Sequence, residues 1–510
     1  MSHDRTSRAA RTALVTLLQA AVSLGVGLFS APVMTHYLGR ENYGLWMLLC
    51  QFVTYLTLLD FGNASIVQMQ LASAQHVDGN GEKKRLLSAV RQGLLLTTGP
   101  LVLLGLGIAA WAAAKYASAG TSRLTIMATT VLVVMGFLVN RLASLPNYAL
   151  FGANLVYRSA MLRTAIIAVA SLMDIAVVMS GYGLVGLGLV RVAAQTLIGL
   201  SLWRTARREI PWFGFTRVGF DEVRRLLRQN VSCVVGQWGH MMADGIDIAI
   251  IGCLMGPGMI PVYMVTTALS RLAFQLFSQA MQGATSGLAG LFGAGDRERF
   301  QFVRVQQELM AWGCLVVVLA ATLPVNRRFV ELWVGTEYYG GIVLACLGVA
   351  WQFVMVMTRQ YNIALSAALE FNRMARVQVL AGVTGIAAAV LGSWWAGVNG
   401  LLGGLIAVRV VAVALNAAHL NELLGVSIRE QLRRLLWPAL VSAGVAGLAY
   451  RASSWTRDAS WLGIAMTAGL GATCAAAIVW WLVFPAQSRH DLAQRVGQLR
   501  QSMQRSRKTA

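Results

Sequence analysis

Residues 376–419 read RVQVLAGVTGIAAAVLGSWWAGVNGLLGGLIAVRVVAVALNAAH. They hold two consecutive apolar windows, 376–396 and 399–419, each close to the about 20 residues that a membrane-spanning helix needs. Windows of this kind recur from residue 13 to residue 484, and we place fourteen helices in them. A soluble fold is thereby excluded. The chain is predicted to be an all-α integral membrane protein.

The composition agrees with this interpretation. Of the 510 residues, 57% are hydrophobic and 12% are charged, which is about half the charged fraction of a soluble protein. The longest polar segments, 204–228 and 487–510, are far shorter than a domain. Because no room remains for a soluble catalytic domain, we expect that the protein is not an enzyme.

The cations that produce the net charge of +21 are concentrated in a few polar segments. The segment 204–229, after the sixth window, holds seven arginines, and the segment 485–510 holds six Lys and Arg residues. Cytoplasmic loops of membrane proteins are rich in Lys and Arg. We therefore predict that both termini are cytoplasmic, and that the positive charge reflects membrane orientation and not a nucleic-acid partner.

An internal repeat is visible in the sequence. A shift of 218 residues superimposes four pairs of identical residues, Arg141 on Arg359, Asn154 on Asn372, Arg158 on Arg376 and Arg191 on Arg409. The offset spans six predicted helices, an even number that preserves their orientation, so the two halves are predicted to be parallel repeats of the kind known in transporters. Two six-helix lobes imply a cavity between them.

The predicted organisation follows from this repeat. It comprises an N-terminal lobe with helices 1–6 (1–208), an amphipathic cytoplasmic linker (209–229), a C-terminal lobe with helices 7–12 (230–426), a second linker with helices 13 and 14 (427–484), and a basic cytoplasmic tail (485–510). The tail places apolar residues at helical spacing among its arginines, and both linkers share this pattern. This pattern predicts either a helix that lies on anionic lipid or a basic segment in solvent.

Five arginines inside the predicted helices are candidates for a substrate-binding site: Arg141, Arg191, Arg271, Arg359 and Arg409. Ionisable groups deep in a bilayer are costly and therefore point to function. Guanidinium groups bind phosphate oxygens bidentately, so these residues predict an anion site. Arg409 is the leading candidate because the predicted helix before it, 376–396, carries no acid. Arg191 either belongs to the site or is neutralised by Asp174 on the neighbouring helix.

Four further residues are candidates for ion coupling: Asp174, His240, Asp244 and Asp247. Asp244 and Asp247 are three residues apart and share one helix face, with His240 one turn earlier. Two neighbouring carboxylates in a low dielectric do not both ionise readily, so the pair would take up H⁺ or hold Na⁺. Alternatively, the aspartates cap a kink or pair with Arg271. We expect no metal centre and no cofactor besides such a coupling ion.

One stretch resembles a known family. Residues 37–64, YLGRENYGLWMLLCQFVTYLTLLDFGNA, are similar to the first helical hairpin of bacterial polysaccharide flippases of the O-antigen and exopolysaccharide type. Those proteins belong to the multidrug/oligosaccharidyl-lipid/polysaccharide (MOP) exporter superfamily. Residues 247–263 (DIAIIGCLMGPGMIPVY) and 331–338 (ELWVGTEY) agree with the resemblance. The similarity in helix number and two-lobed layout covers the whole chain.

The resemblance implies a fold and a function. The fold would be a V-shaped pair of helix bundles around a cationic cavity. The function would be passage of an undecaprenyl-pyrophosphate-linked oligosaccharide from the cytoplasmic to the periplasmic leaflet of the bacterial inner membrane, by alternating access. The implied partners are this lipid-linked oligosaccharide, membrane lipids, and the polymerase and chain-length machinery of cell-surface lipopolysaccharide or exopolysaccharide biosynthesis.

Three other functions remain open from the sequence. A drug or cation antiporter of the same superfamily would need an acidic cavity, against which the intramembrane arginines argue. A membrane polysaccharide polymerase or glycosyltransferase would need a sizeable outer loop, and the predicted outer loops are short. A flippase for the lipid-linked peptidoglycan precursor is a near relative that these residues do not distinguish. The sequence has no P-loop, so direct drive by ATP is not expected.

Overall fold

The structure is a computed structural model that describes residues 2–59, 71, 80–118, 120–153, 155–225, 228, 245–282, 285–453, 455–456 and 460–484. These residues are almost entirely helical. They form no β-strand, and their single β-bridge joins Ser118 to Thr121. The all-α prediction is confirmed.

The structure describes the following helices. In chain order they are α1 (Ser2–Tyr55), α2 (Asn80–Tyr116), α3 (Arg123–Gly152), α4 (Val156–Met179), α5 (Gly183–Glu209), α6 (Ile246–Leu254), α7 (Met259–Thr266), α8 (Ala268–Gln282), α9 (Thr285–Gly293), α10 (Arg297–Thr322), α11 (Asn326–Trp333), α12 (Ile342–Ala367), α13 (Phe371–Leu424), α14 (Ile428–Ala452) and α15 (Trp461–Ile478). Short 3₁₀ turns lie at Leu56–Leu59 and Thr336–Tyr338, and a π-helical turn lies at Val479–Val483.

The length and composition of these helices make the chain a multi-pass membrane protein. Within the described residues, nine helices are long and apolar enough to cross a membrane, or ten if the bent pair α7 and α8 is one span. The two longest, α1 and α13, each contain two predicted windows and a break between them. The breaks lie at Gly39, with φ of 73°, and at Ala396–Gly397, where Gly397 has φ of 56°. Glycine adopts such left-handed angles without the penalty that a side chain imposes.

The predicted helix 8 differs from the structure. The sequence predicts one helix over 260–290, whereas α7 and α8 meet at an angle of 56° at Thr267. Near the bend the Thr266 carbonyl accepts a hydrogen bond from Asn326 Nδ2 at 3.0 Å. The Thr266 hydroxyl also donates to the Tyr338 carbonyl at 3.2 Å and accepts from Gly340 N at 2.8 Å. These tertiary partners stabilise a break that local hydropathy does not reveal.

The chain divides into two compact units, residues 1–261 (unit 1) and 262–510 (unit 2). The predicted lobe and linker boundaries stay predictions, because part of the segment between the sixth and seventh predicted helices lies outside the described residues. The predicted interfacial tail, 485–510, lies outside them entirely.

In unit 1, α3 packs between α2 and α5, and α1 packs against α4. The largest core cluster of this unit joins α2, α3 and α5 and includes Leu94, Leu150 and Leu202. The segment after α5 adds Ile210 and Val223 to the same cluster. Ile210 and Val223 of the predicted amphipathic linker are therefore buried against the helices that the linker follows, whereas Phe220 is 68% exposed.

The repeat is confirmed by the helix bounds. Residue 80, where α2 begins, shifted by 218 gives 298, and α10 begins at Arg297. Residue 123, where α3 begins, gives 341, and α12 begins at Ile342. Residue 156, where α4 begins, gives 374, and α13 begins at Phe371. The helices α4 and α5 thus correspond to the two segments of α13 on either side of its break.

Two turns that this repeat makes equivalent contact each other in unit 1. Arg40, at the break of α1, donates from Nε to the Gly258 carbonyl at 2.6 Å, and Gly258 N donates to Glu41 Oε2 at 3.1 Å. Gly44 lies so close to Pro257 that no Cβ fits there. The stretches quoted for the family resemblance, 37–64 and 247–263, are therefore joined by direct contacts.

Candidate functional site

A polar cavity of about 180 Å³ opens in unit 1 among α1, α3 and α5. The first wall, from α1 and the 3₁₀ turn after it, consists of Cys50, Val53, Thr54 and Thr57. The remaining lining residues are Val133, Gly136, Phe137 and Asn140 of α3, and Arg191 and Gln195 of α5. Of these helices, α3 and α5 are long and apolar enough to span a membrane, so a polar lining here is a candidate for function.

Helical spacing explains how the residues reach one cavity. The lining positions of α1 follow the pattern i, i+3, i+4, i+7, and those of α3 follow the same pattern from Val133 to Asn140. Arg191 and Gln195 are four residues apart on α5. Residues at these spacings lie on one face of a helix. Each of the three elements therefore turns a partly polar face toward the cavity.

Arg191 is the cationic group of this cavity. Its side chain is exposed, although it lies in the apolar span of α5. Among the described residues its one hydrogen bond is a long contact from Nη2 to Cys50 Sγ, at 3.9 Å. Most guanidinium N–H groups thus remain available to a ligand. Asp174, half-buried on α4, lies near enough to interact electrostatically with this guanidinium, so its neutralisation of Arg191 and the binding of an anion by Arg191 both stay predictions.

Gly136 makes room for the arginine. A Cβ atom built at this glycine would lie 3.1 Å from Cγ of Arg191, which is closer than ordinary van der Waals contact. A side chain on α3 at this position would therefore press on the stem of the arginine. Gln195, one turn along α5, has an Oε1 atom that is buried and makes no hydrogen bond to the described residues. The cavity thus holds a charged donor beside an unused acceptor.

Arg141, the other candidate in unit 1, does not line the cavity. Its side chain is 4% exposed. Nη2 donates to Thr97 Oγ1 at 2.6 Å, and Nη1 donates to Thr98 Oγ1 at 3.3 Å and to the Leu94 carbonyl at 3.4 Å. These groups belong to α2, so the arginine joins α3 to α2. Its predicted role in substrate binding stays a prediction.

Arg409, in unit 2, is also buried, with 3% of its surface exposed. Nη1 donates to Gln378 Oε1 at 2.7 Å. Gln378 Nε2 donates to Asn362 Oδ1 at 3.1 Å, and Asn416 Nδ2 donates to the same oxygen at 3.4 Å. The arginine thus belongs to a polar network that joins the two segments of α13 to α12. These contacts favour a role in helix packing.

The remaining arginine candidates of unit 2 are half-buried. Arg271 follows the bend between α7 and α8, where Nη2 donates to Thr267 Oγ1 at 3.3 Å and the guanidinium carbon lies 5.5 Å from the centre of the Tyr263 ring. Arg271 Nε is buried and has no hydrogen-bond partner in the described part of the chain. Arg359 lies on α12. The structure does not test their predicted role in binding.

The predicted ion-coupling pair is only partly described. Asp247 is 4% exposed, lies in the first turn of α6, and accepts a hydrogen bond at Oδ1 from the Ile248 backbone N–H at 2.9 Å. A carboxylate is stabilised at this end of a helix. Asp244 and His240 lie outside the described residues, so the paired site stays a prediction. No group of three metal-ligating side chains occurs among the residues described.

A buried polar network in unit 2 was missed by the sequence analysis. Glu308 Oε1 accepts hydrogen bonds from Arg304 Nη1 at 2.7 Å and from the Tyr361 hydroxyl at 2.5 Å. Gln431 Nε2 donates to the Tyr361 oxygen at 2.9 Å, and Asn421 Nδ2 donates to Gln431 Oε1. Arg304 and Glu308 are spaced i, i+4 inside a predicted window, a signal of an intrahelical ion pair that was available in the sequence.

Comparison with known proteins supports the fold. No family model and no curated protein matches the chain. The lipid II flippase MurJ in an inward closed conformation is similar in structure, with 13% identity and a TM-score of 0.64 over 92% of this chain and 98% of that one. An inward-facing multidrug resistance MATE family transporter of the MOP superfamily also has a TM-score of 0.64, with 13% identity over 81% of this chain and 98% of that one.

A third similar structure is a MOP superfamily transporter from Pyrococcus furiosus, for which a reverse polarity of the binding pocket suggests a different function. Its TM-score is 0.55, with 13% identity over 82% of this chain and 96% of that one. Identities this low carry information on the fold and not on the substrate. The chain has the fold of MOP-superfamily transporters.

Proposed function

We propose that this protein is a flippase for a lipid-linked oligosaccharide. The substrate would be an undecaprenyl-pyrophosphate-linked glycan, moved from the cytoplasmic to the periplasmic leaflet of the bacterial inner membrane for cell-surface polysaccharide synthesis. Alternating access would carry the head group across while the isoprenoid chain stays in lipid. The proposal rests on the Arg191 cavity and is supported by the fold, which a lipid II flippase shares.

The observation that carries the proposal is the exposed guanidinium of Arg191 in a polar cavity between spanning helices. An arginine at this depth is tolerable only if it faces water, protein or a polar ligand. A pyrophosphate offers the paired oxygens that a guanidinium binds bidentately. Thr54, Asn140 and Gln195 add hydroxyl and amide groups, which both donate and accept hydrogen bonds as sugar hydroxyls require.

A drug or cation antiporter is the main alternative, because a MATE transporter has the same TM-score. The lining of the Arg191 cavity disfavours it. Its ten residues include one cation and no carboxylate, whereas a cationic drug is stabilised by acidic groups. We therefore favour an anionic substrate for this cavity.

The proposal also includes a coupling ion and protein partners. H⁺ or Na⁺ would be exchanged at Asp247 together with Asp244, or at Asp174 beside Arg191, and His240 would assist. Arg271 and Arg359 would be further anion-binding groups in unit 2, whereas the contacts of Arg141 and Arg409 favour helix packing. The polymerase and chain-length proteins of the same pathway would receive the translocated substrate.

The test is a comparison of substrates in proteoliposomes that contain the purified protein. A fluorescent glycan on undecaprenyl pyrophosphate should be translocated, measured by its protection from a membrane-impermeant quencher. The same glycan on neutral undecaprenol should not be translocated, since it lacks the group that Arg191 binds. Export of a cationic dye, without movement of the lipid, would overturn the proposal in favour of the antiporter.

A native cysteine reports on the same cavity. Cys50 lines it next to Arg191, so an anionic, water-soluble methanethiosulfonate should label this thiol. An excess of the pyrophosphate-linked glycan should slow the labelling by about tenfold if the ligand occupies the cavity with a tenfold excess over Kd. The Cys50→Ser variant, which lacks the cavity thiol, is the control, because the glycan should not change the labelling of its remaining cysteines. Equal labelling of Cys50 with and without the glycan would contradict the assignment.

A further inference from the structure

A second cavity, of about 310 Å³, lies within unit 2 and serves no step of the proposed transport. Phe353 and Met357 of α12, Ala414 of α13, and Leu432 and Leu435 of α14 form much of its wall. Two polar lining residues, Tyr361 and Gln431, hydrogen-bond to each other. The cavity therefore presents an almost entirely apolar surface to whatever fills it.

The volume and lining indicate a hydrocarbon guest. Apolar cavities of about 150 Å³ stay free of water and bind small apolar molecules, and this cavity is about twice that size. Water inside it would lose hydrogen bonds without replacement. An apolar chain would instead gain dispersion contacts with the wall.

Exposed apolar residues belong to the wall of this cavity. Val410 of α13 and Leu432 of α14 line it and are 49% and 62% exposed. Both helices are long and apolar enough to span a membrane, so the medium at their exposed apolar faces is lipid. An acyl chain is therefore the hydrocarbon that has direct access to the opening.

Basic residues lie where the head group of such a lipid would be. Arg429 and Arg433 are exposed in the first two turns of α14, four residues apart on one face, and Leu432 of the cavity wall follows Arg429 by three residues. Arg434, by contrast, is paired with Glu430. Two guanidinium groups beside an apolar opening match a phosphate joined to an acyl chain.

We propose that this cavity, the α12–α14 pocket, holds one acyl chain of an anionic phospholipid whose phosphate binds Arg429 and Arg433. The lipid would be a resident component of the membrane and not the transported substrate. By filling the space among α12, α13 and α14, it would stabilise the packing of unit 2. The inference is independent of the function proposed for the Arg191 cavity.

Photo-crosslinking in vesicles tests the inference on the full-length protein. The vesicles consist of phosphatidylcholine with a minor fraction of phosphatidylglycerol that carries a diazirine on one acyl chain. After illumination, mass spectrometry should locate the label on peptides that contain Met357, Ala414 or Leu432. Label spread evenly over exposed apolar residues, with none in the pocket, would overturn the proposal.

Ala414→Trp should fill the pocket from its exposed side and lower this labelling by about tenfold, since several methylene groups lose their burial. Val411→Trp is the matched control, because Val411 lies on the same helix, is 58% exposed and does not line the pocket. It should change labelling by less than about twofold. Equal labelling of the Ala414→Trp variant and the wild type would contradict the proposal.

The head-group site is tested without touching the core. Arg429→Gln with Arg433→Gln should lower the preference for phosphatidylglycerol over a diazirine-bearing phosphatidylcholine by about tenfold or more, given the usual attraction of each basic residue to anionic lipid. Arg434→Gln, whose arginine is paired with Glu430, should have a smaller effect. No preference in the wild type would overturn the proposal. Displacement of the label by excess undecaprenyl pyrophosphate would also overturn it, in favour of a substrate chain in the pocket.

Discussion

Arg191 and Arg409 occupy equivalent positions, 218 residues apart, in the two repeats, yet their surroundings differ. Arg191 is exposed in a polar cavity of unit 1. Arg409 is 3% exposed and donates to Gln378 at 2.7 Å inside unit 2. One arginine offers its guanidinium to a ligand, and the other uses it to hold helices together. The same residue type at the same repeat position therefore does not imply the same role.

The reason lies in the residues that surround each arginine. The partner of Arg409 is Gln378, and the equivalent residue of unit 1 is Ala160, which has no hydrogen-bonding side chain. Gly136, which makes room for Arg191, corresponds to Val354 in unit 2. Unit 1 thus has no glutamine to bind its arginine, and it has more space beside that arginine. Both differences favour an open cavity.

The largest expected effect is the loss of transport when Arg191 is removed. Arg191→Ala should slow translocation of the pyrophosphate-linked glycan by about 10- to 100-fold, because a hydrogen bond to a charged group is worth about 1.5–3 kcal/mol. The thermal stability should change little, since the side chain is exposed. Proteoliposome transport and melting of the purified protein measure the two quantities.

Arg208→Ala is the matched control for this variant. Arg208 is an exposed arginine in the last turn of the same helix, outside the cavity. Transport by this control should stay near the wild-type rate. If Arg191→Ala transports as well as Arg208→Ala, the cavity is not the anion site.

Arg409→Ala should instead lower stability. The change leaves the amide of Gln378, which is 3% exposed, without its charged partner, at a cost of about 1–3 kcal/mol. The melting temperature should therefore fall, and adding Gln378→Ala should cost less than the sum of the two single changes. Additive costs in this double-mutant cycle would show that the two side chains are not coupled. A loss of transport at unchanged stability would restore Arg409 as the predicted anion site.

Ala160→Gln transfers the partner of Arg409 to the equivalent position in unit 1. If the repeat is faithful in detail, the new amide should hydrogen-bond Arg191 and compete with the substrate. One net hydrogen bond of about 1 kcal/mol corresponds to about a fivefold slower transport. The same assay measures it, with Ala160→Leu as a control for side-chain volume. Equal rates for the glutamine and leucine variants would show that the repeat preserves the helix bounds but not the contacts around this arginine.

Gly136→Ala should have the smallest effect. The added Cβ would lie 3.1 Å from Arg191 Cγ, so the arginine must move by a few tenths of an ångström, and transport should fall by about twofold. Stability should rise by up to about 1 kcal/mol, because alanine favours a helix interior over glycine. Opposite signs in the transport and melting measurements would support the role of this glycine. A fall in both would indicate simple overpacking of α3.

The sequence by itself determined the all-α class, the membrane-spanning character of most described helices, and the repeat. These features depend on the length and spacing of apolar runs, which are local properties of the chain, and on an offset that helix bounds in both units obey. The sequence also identified Arg191 among five candidates, because any arginine within such a run is conspicuous. It ranked Arg409 ahead of Arg191, the reverse of the order that their surroundings favour.

Only the tertiary structure decided which arginine faces a cavity and which is buried. That choice depends on the neighbours that other helices supply, such as Gln378 beside Arg409 and the space at Gly136 beside Arg191. The bend at Thr267 was equally hidden, since the groups that stabilise it come from Asn326 and from the loop at 338–340. Hydrogen bonds between residues distant in sequence leave no local pattern, so packing alone settles them.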